Sequence, residues 1–217
     1  MSPATAPTGH AAVMPLDHLV YAVPTLDEAV SDLEGRLGVR AGRGGRHPGR
    51  GTHNALLSLG VGRYLEIIAT DPGQPAPPGP RPFGVDAGGP PRLAGWAWRT
   101  DDIARAVAAA RREGYDPGEP VEMSRVTEDG TRLEWRLTLN SVAGGPVPFL
   151  IDWGETPHPS RAAPDGVTLV SYRVEHPDPV TMARTLAALG ADADIVEGAA
   201  PALVAVLEGP RGRIRLS

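Results

Sequence analysis

With 217 residues, 41% of them apolar, the chain is long enough for one large domain or two small ones with ordinary cores, and needs no external staple. It has no cysteine, so disulfides and thiolate metal sites are excluded and any metal must be held by histidine, carboxylate or carbonyl oxygen. A net charge of −5 argues against nucleic acid or an anionic membrane as the main partner, and because all 21 basic residues are arginine, Schiff-base chemistry on a lysine is excluded too.

Residues 1–14 are small and polar with two prolines and read as a disordered tail. No apolar run approaches a membrane span, and the first residues lack a basic region followed by an apolar one, so a cytoplasmic protein is expected. A first βαβββ module follows over 15–71. Its opening strand, Leu16-Asp-His18-Leu-Val-Tyr-Ala-Val23, puts His18, Val20 and Ala22 on one face and Leu19, Tyr21 and Val23 on the other. The helix after it carries Leu26, Ala29, Val30, Leu33 and Leu37 at helical spacing, with Thr25 and Glu28 placed for a capping box and Gly38 for its end. The glycine-rich stretch from Gly44 to Asn54 includes His47 and His53 and allows close backbone approach to a ligand. It lacks the Lys-Ser/Thr ending of a phosphate loop and precedes a strand, so that reading is rejected. The closing strand Tyr64-Leu-Glu66-Ile-Ile68 sets Tyr64, Glu66 and Ile68 on one face.

Residues 72–92, with eight prolines and five glycines, have the composition of a linker, in which Phe83 is the one large apolar residue able to pin the segment across a groove. The pattern then restarts over 93–155. A strand at Leu93–Trp98 is followed by a helix face of Ile103, Ala106, Val107 and Ala110, and by strands at Val121–Val126, Thr131–Leu139 and Val147–Trp153. Asp129-Gly130 marks a hairpin. Residues 156–217 give a loop and a third, smaller βαβββ-like module, its helix started by Asp178-Pro179. Its strand edges suggest a homodimer.

The runs Gly44-Gly-Arg-His-Pro-Gly-Arg-Gly-Thr-His-Asn-Ala-Leu-Leu57, Arg63-Tyr-Leu-Glu-Ile-Ile68, Asp129-Gly-Thr-Arg-Leu-Glu-Trp-Arg-Leu-Thr-Leu139 and Pro148-Phe-Leu-Ile-Asp-Trp-Gly154 with His158-Pro-Ser160 resemble the glyoxalase-like subfamily of the vicinal oxygen chelate superfamily. That superfamily contains glyoxalases, bleomycin-resistance proteins and extradiol dioxygenases. The resemblance implies an α+β fold in which repeated βαβββ modules form a curved-sheet cup. It also implies that first-strand His18 and fourth-strand Glu66 are metal ligands for Zn, Mn, Fe, Ni or Mg. The family draws ligands from both modules, whereas here the second offers Ala94 or Gly95 opposite His18 and Ile151, or at best Asp152, opposite Glu66. Asp152, His47 or His53 would have to complete such a sphere.

The residues support a general-base reading beside the metal reading. A buried Glu66 needs either a wet face or a partner, and in a dry pocket it suits proton removal. His47, His53 and Asn54 stand where a ligand would be contacted, Trp98 and Trp135 suit the wall of a cavity for a flat organic ligand, and Arg136 would clamp a carboxylate or enolate oxygen if its strand face lined the cup. His158 and His176, beside prolines in loops, receive no role. Three readings stay open: an enzyme acting on a small oxygenated substrate through a metal or general base, a metal-free protein that sequesters a small molecule, and a remnant whose cup is filled by side chains.

Overall fold

The structure, a computed structural model, describes residues 16–127, 129–139 and 145–217; the expected tail lies outside them. The first unit runs β1 (Leu16–Ala22), α1 (Leu26–Leu37), β2 (Gly42–His47), β3 (Thr52–Ser58) and β4 (Tyr64–Thr70). The second runs β5 (Arg92–Arg99), α2 (Ile103–Arg112), β6 (Pro120–Val126), β7 (Arg132–Thr138) and β8 (Phe149–Asp152). Together they close a barrel in the order β1-β4-β3-β2-β6-β7-β8-β5. In each unit the helix crossover returns the chain so that the first and last strands pair in parallel, β1 with β4 and β5 with β8. This is the expected α+β fold of curved βαβββ units.

Two apolar layers result. The outward face of β1 and β4 meets α1 through Leu26, Val30, Leu33 and Leu37, all buried, while Val20, Leu56, Ile68, Phe149 and Ile151 face inward. Full burial of each such side chain contributes roughly 1.5–3 kcal/mol. Asp102 caps α2 by accepting from Arg105 N at 3.0 Å. Thr25 is the N-cap of α1 but makes no side-chain cap bond, so the expected capping box does not form. Among the described residues, no helix is long and apolar enough to cross a membrane.

The barrel is thinnest where the units meet at β2 and β6, which share one register pair, Arg46 with Val126. Gly45 makes this approach feasible: its φ is +149°, and a Cβ there would lie 2.2 Å from the Val126 carbonyl oxygen. Gly45→Ala is therefore expected to open the seam and lower stability by about 2 kcal/mol or more, measured as a lower urea midpoint.

The third unit comprises β9 (Thr168–His176), α3 (Pro179–Ala188), β10 (Asp194–Glu197), β11 (Ala202–Gly209) and β12 (Gly212–Leu216). Its element order is βαβββ, but its sheet runs β10-β9-β11-β12, with β9 inside instead of at the edge. It packs on the outside of the barrel. Arg211 N donates to Leu37 O at 3.1 Å, Leu93 N donates to Ser217 O at 3.2 Å, and Tyr172 lies 5.6 Å from Trp96 ring to ring.

Residues 72–92 do not behave as a free spacer. A 3-10 turn at Pro82–Ala87 brings Phe83 into the barrel mouth, buried at 5.6 Å from the Phe149 ring. Phe83 adopts a left-handed backbone at φ +59°, which an aromatic residue rarely does, and Arg92 Nη2 donates to Phe83 O and Gly84 O at 2.8 and 3.0 Å.

Candidate functional site

Inside the barrel is a chamber of about 470 Å³. It is open space, which removes the reading of a cup filled by its own side chains. Phe83, Leu137, Phe149, Ile151, Trp135 and Trp153 line it as an apolar and aromatic wall, and His18, His47, Asn54, Glu66 and Arg125 bring polar groups to it.

This polar cluster is built by register. The parallel β1–β4 pairing sets His18 beside Tyr64 and Val20 beside Glu66, so on the inward face His18 lies one diagonal step from Glu66. His18 stacks on the Tyr64 ring at 4.6 Å, and its Nε2 is 3.7 Å from Glu66 Oε2. On the other side β3 brings Asn54 up to the same carboxylate, and its Nδ2 donates to Glu66 Oε1 at 2.6 Å. His47 at the end of β2 places Nε2 3.8 Å from Glu66 Oε1, with Nδ1 bonded to Thr52 Oγ1 at 2.9 Å. Burial, helped by nearby Arg125 and opposed by Glu66, pushes the His47 imidazole down to about 4.

Asp17 sets the orientation of His18. The pairing of β1 with β5 shifts register between Leu16 and His18, and this irregularity turns Asp17 towards its neighbour. Asp17 is fully buried. Its Oδ1 meets His18 Nδ1 at 2.7 Å, and its Oδ2 meets His158 Nε2 at 2.9 Å and accepts from Trp153 Nε1 at 3.1 Å. Burial raises this carboxyl's pKa, but the bonds from His158 and His18 outweigh burial and hold it well below the usual carboxylate range. An ionised carboxylate only accepts, so His18 carries hydrogen on Nδ1 and presents Nε2 to Glu66.

Arg125 completes the polar cluster from the second unit. It is 5% exposed, reaches across the β2–β6 seam, and places Nη1 3.3 Å from Asn54 Oδ1. Gly44 makes room for this contact, since a Cβ there would lie 2.1 Å from Asn54 Oδ1 and 2.6 Å from Arg125 Nη1.

Of the residues singled out from sequence, the structure brings His18, His47, Asn54, Glu66 and Trp135 together around the chamber. Four expected ligand contacts lie elsewhere. His53 alternates with Thr52 and Asn54 along β3 and so takes the opposite face. Trp98 points outward with Trp96, 5.9 Å away, into the layer beneath the third unit. Arg136 is on the outer face of β7, and its Nη2 donates to Asp152 Oδ2 at 2.6 Å. Asp152, between inward Ile151 and Trp153, is turned away from Glu66 and accepts from Ile103 N at 3.4 Å. Sequence reasoning missed Asp17 and Arg125 and gave His158 no role. A readable signal existed for Arg125, which shares a strand face with Val121 and Met123.

A family model described as a glyoxalase-like domain matches residues 16–190. The chain belongs to the glyoxalase-like domain family. Its fold is that of the vicinal oxygen chelate superfamily. A hypothetical protein from Staphylococcus aureus superposes with a TM-score of 0.60 at 17% identity, over 92% of this chain and 84% of that one. Methylmalonyl-CoA epimerase from Mycobacterium tuberculosis gives 0.43 at 17% identity, over 68% and 93%. The Streptomyces coelicolor epimerase in complex with 2-nitronate-propionyl-CoA gives 0.41 at 18% identity, over 67% and 99%. No curated protein matches in sequence.

The metal that the family resemblance implies can be tested against the donors of this glyoxalase-like domain. Next to His18 the second unit offers Ala97, and Ile151 and Phe149 face inward from β8. The amide of Asn54 already occupies Glu66 Oε1, and the guanidinium of Arg125 stands behind that amide. His18 and His47 bring their Nε2 atoms to 3.7 and 3.8 Å from the Glu66 carboxylate, but among the described residues no group of three or more histidine or acidic side chains could hold a metal ion. These residues do not fit a resident divalent metal.

Proposed function

We propose that this glyoxalase-like domain binds a small organic compound in the barrel and that Glu66 acts on it as a general base, removing a proton from carbon beside a carbonyl group. The C–H bond breaks, its proton passes to Glu66 Oε2, and its electron pair moves onto the carbonyl oxygen as an enolate. Return of the proton to the same or a neighbouring atom gives exchange, tautomerisation or epimerisation. The observation that carries this reading is the isolation of Glu66. It is the one acidic side chain among the described residues lining the chamber. Asn54 fixes Oε1, while Oε2 faces His18 Nε2, which can relay the proton.

Deuterium incorporation in D2O, followed by proton NMR over a panel of aryl-substituted ketones, 2-oxo acids and acyl thioesters, tests the proposal. Exchange above buffer is expected for at least one class, and Glu66→Gln, which keeps the Asn54 contact, is expected to slow it about 100-fold. Exchange absent across the panel, or undiminished in Glu66→Gln, would sink the general-base role. The aromatic wall of Phe83, Trp135, Phe149 and Trp153 also supports a second reading, sequestration without turnover. Tight binding without exchange would select it.

A further inference from the structure

We infer that the ligand of this chamber is an organic acid, an apolar or aromatic body whose carboxylate docks on Arg125. This inference rests on reading the chamber as a ligand site but does not require Glu66 to act as a base.

Arg125 is a buried cation whose bonding is incomplete. Its Nη1 has a long contact of 3.3 Å to Asn54 Oδ1, and its buried Nε has no hydrogen-bond partner. Arginine offers five donors in a planar fork, and leaving them unmade inside a protein is costly. Its side chain lines the chamber, so an entering oxyanion can meet it. Neighbouring Glu66 does not fill this role. The Asn54 amide stands between them, donating to Glu66 Oε1 at 2.6 Å and accepting from Arg125 Nη1, so the opposite charges are spaced and not collapsed into a salt bridge.

The charge of the surroundings agrees. Among the described residues lining the chamber, Arg50, Arg81 and Arg125 stand against one carboxylate, Glu66. Arg81 shares its charge with Asp86 at 2.5 Å, and Arg50 joins it in the chamber wall. A cationic lining in a chain of net charge −5 favours entry of anions. Beyond these charged groups the wall is apolar and aromatic, which sets the body of the ligand.

The test compares three acids with their neutral amides: phenylacetate, 3-phenylpropionate and 2-naphthylacetate against the matching carboxamides. Binding is followed by quenching of Trp135 and Trp153, with calorimetry as the second readout. At least one acid is expected to bind about 10-fold or more tightly than its amide, since charge-assisted bidentate bonds are roughly twice as strong as neutral ones. Arg125→Gln should bring acid and amide to within about twofold by weakening the acid alone, whereas Arg125→Lys should keep part of the preference. Equal affinity of acid and amide, no binding by any acid, or an acid preference that survives in folded Arg125→Gln would overturn the assignment. If Arg125→Gln does not fold, Arg125→Lys decides, and an undiminished preference there counts against a bidentate dock. Acid binding through Arg125 without proton exchange upholds this inference and removes the general base. Exchange on neutral ketones that ignores Arg125→Gln does the reverse.

Discussion

Asp17→Ala is expected to destabilise the protein by about 3–5 kcal/mol, the range for removing one partner from a buried charged network. Asp17 is fully buried and is hydrogen-bonded to three side chains, His18 on its own strand, Trp153 just past β8 and His158 in the following loop, with Arg99 Nη1 a further 3.8 Å ion-pair partner. Alanine would leave Trp153 Nε1 and two imidazole nitrogens in a dry place with nothing to accept from them, and buried donors without acceptors cost most of their desolvation. It would also release the ring of His18, whose Nε2 is aimed at Glu66 by this bond alone among its polar contacts through Nδ1. Urea unfolding at pH 7 measures the loss. A double-mutant cycle of Asp17→Asn with His158→Gln should show coupling of 0.5 kcal/mol or more, because the two share one hydrogen bond. A cost for Asp17→Ala below about 1 kcal/mol, the level of an ordinary surface change, would mean that the carboxylate does not hold these three elements together.

How much of this site could be read from the chain follows from what each contact depends on. His18 and Glu66 were legible because a period of two fixes their faces and parallel pairing of the first and last strands fixes their neighbourhood. The same period argues against His53, since Thr52 and Asn54 face inward on β3 and the residue between them cannot. It also argues against Arg136 beside Trp135 and Leu137, and against Asp152 between Ile151 and Trp153. Trp98 depends on something else. The outer face of β5 is as apolar as the inner one because the third unit covers it, and a strand buried on both sides carries no alternation to read. Asp17 was hidden by the irregularity that breaks alternation in β1, and His158 by a contact spanning 141 positions. Arg125 was open to view as a lone cation on an apolar strand face, but its partner Asn54 lies 71 positions away across a seam that only Gly44 and Gly45 allow to close.

His47 gives the chamber a pH dependence with a defined window. Burial is the main cause that brings its imidazole down from 6.5 to about 4. Between these values the unfolded chain takes up a proton at this position and the folded chain does not. The stability present above 6.5 is therefore lost as pH falls towards 4. A difference of this size corresponds to roughly 3 kcal/mol. Wild type is expected to lose about that much more than His47→Gln between pH 7 and pH 4 in urea titrations. Some slope should persist in the variant, since burial also lowers His53, which lies on the other face of β3 and is only partly enclosed. Asp17 cannot mimic the effect. Its carboxyl lies below its ordinary value of 3.8, so its contribution is intact throughout this window and disappears only at lower pH. Identical acid slopes for wild type and His47→Gln would show that the imidazole is accessible to protons in the folded state and that the polar cluster of the chamber is wetter than its geometry implies.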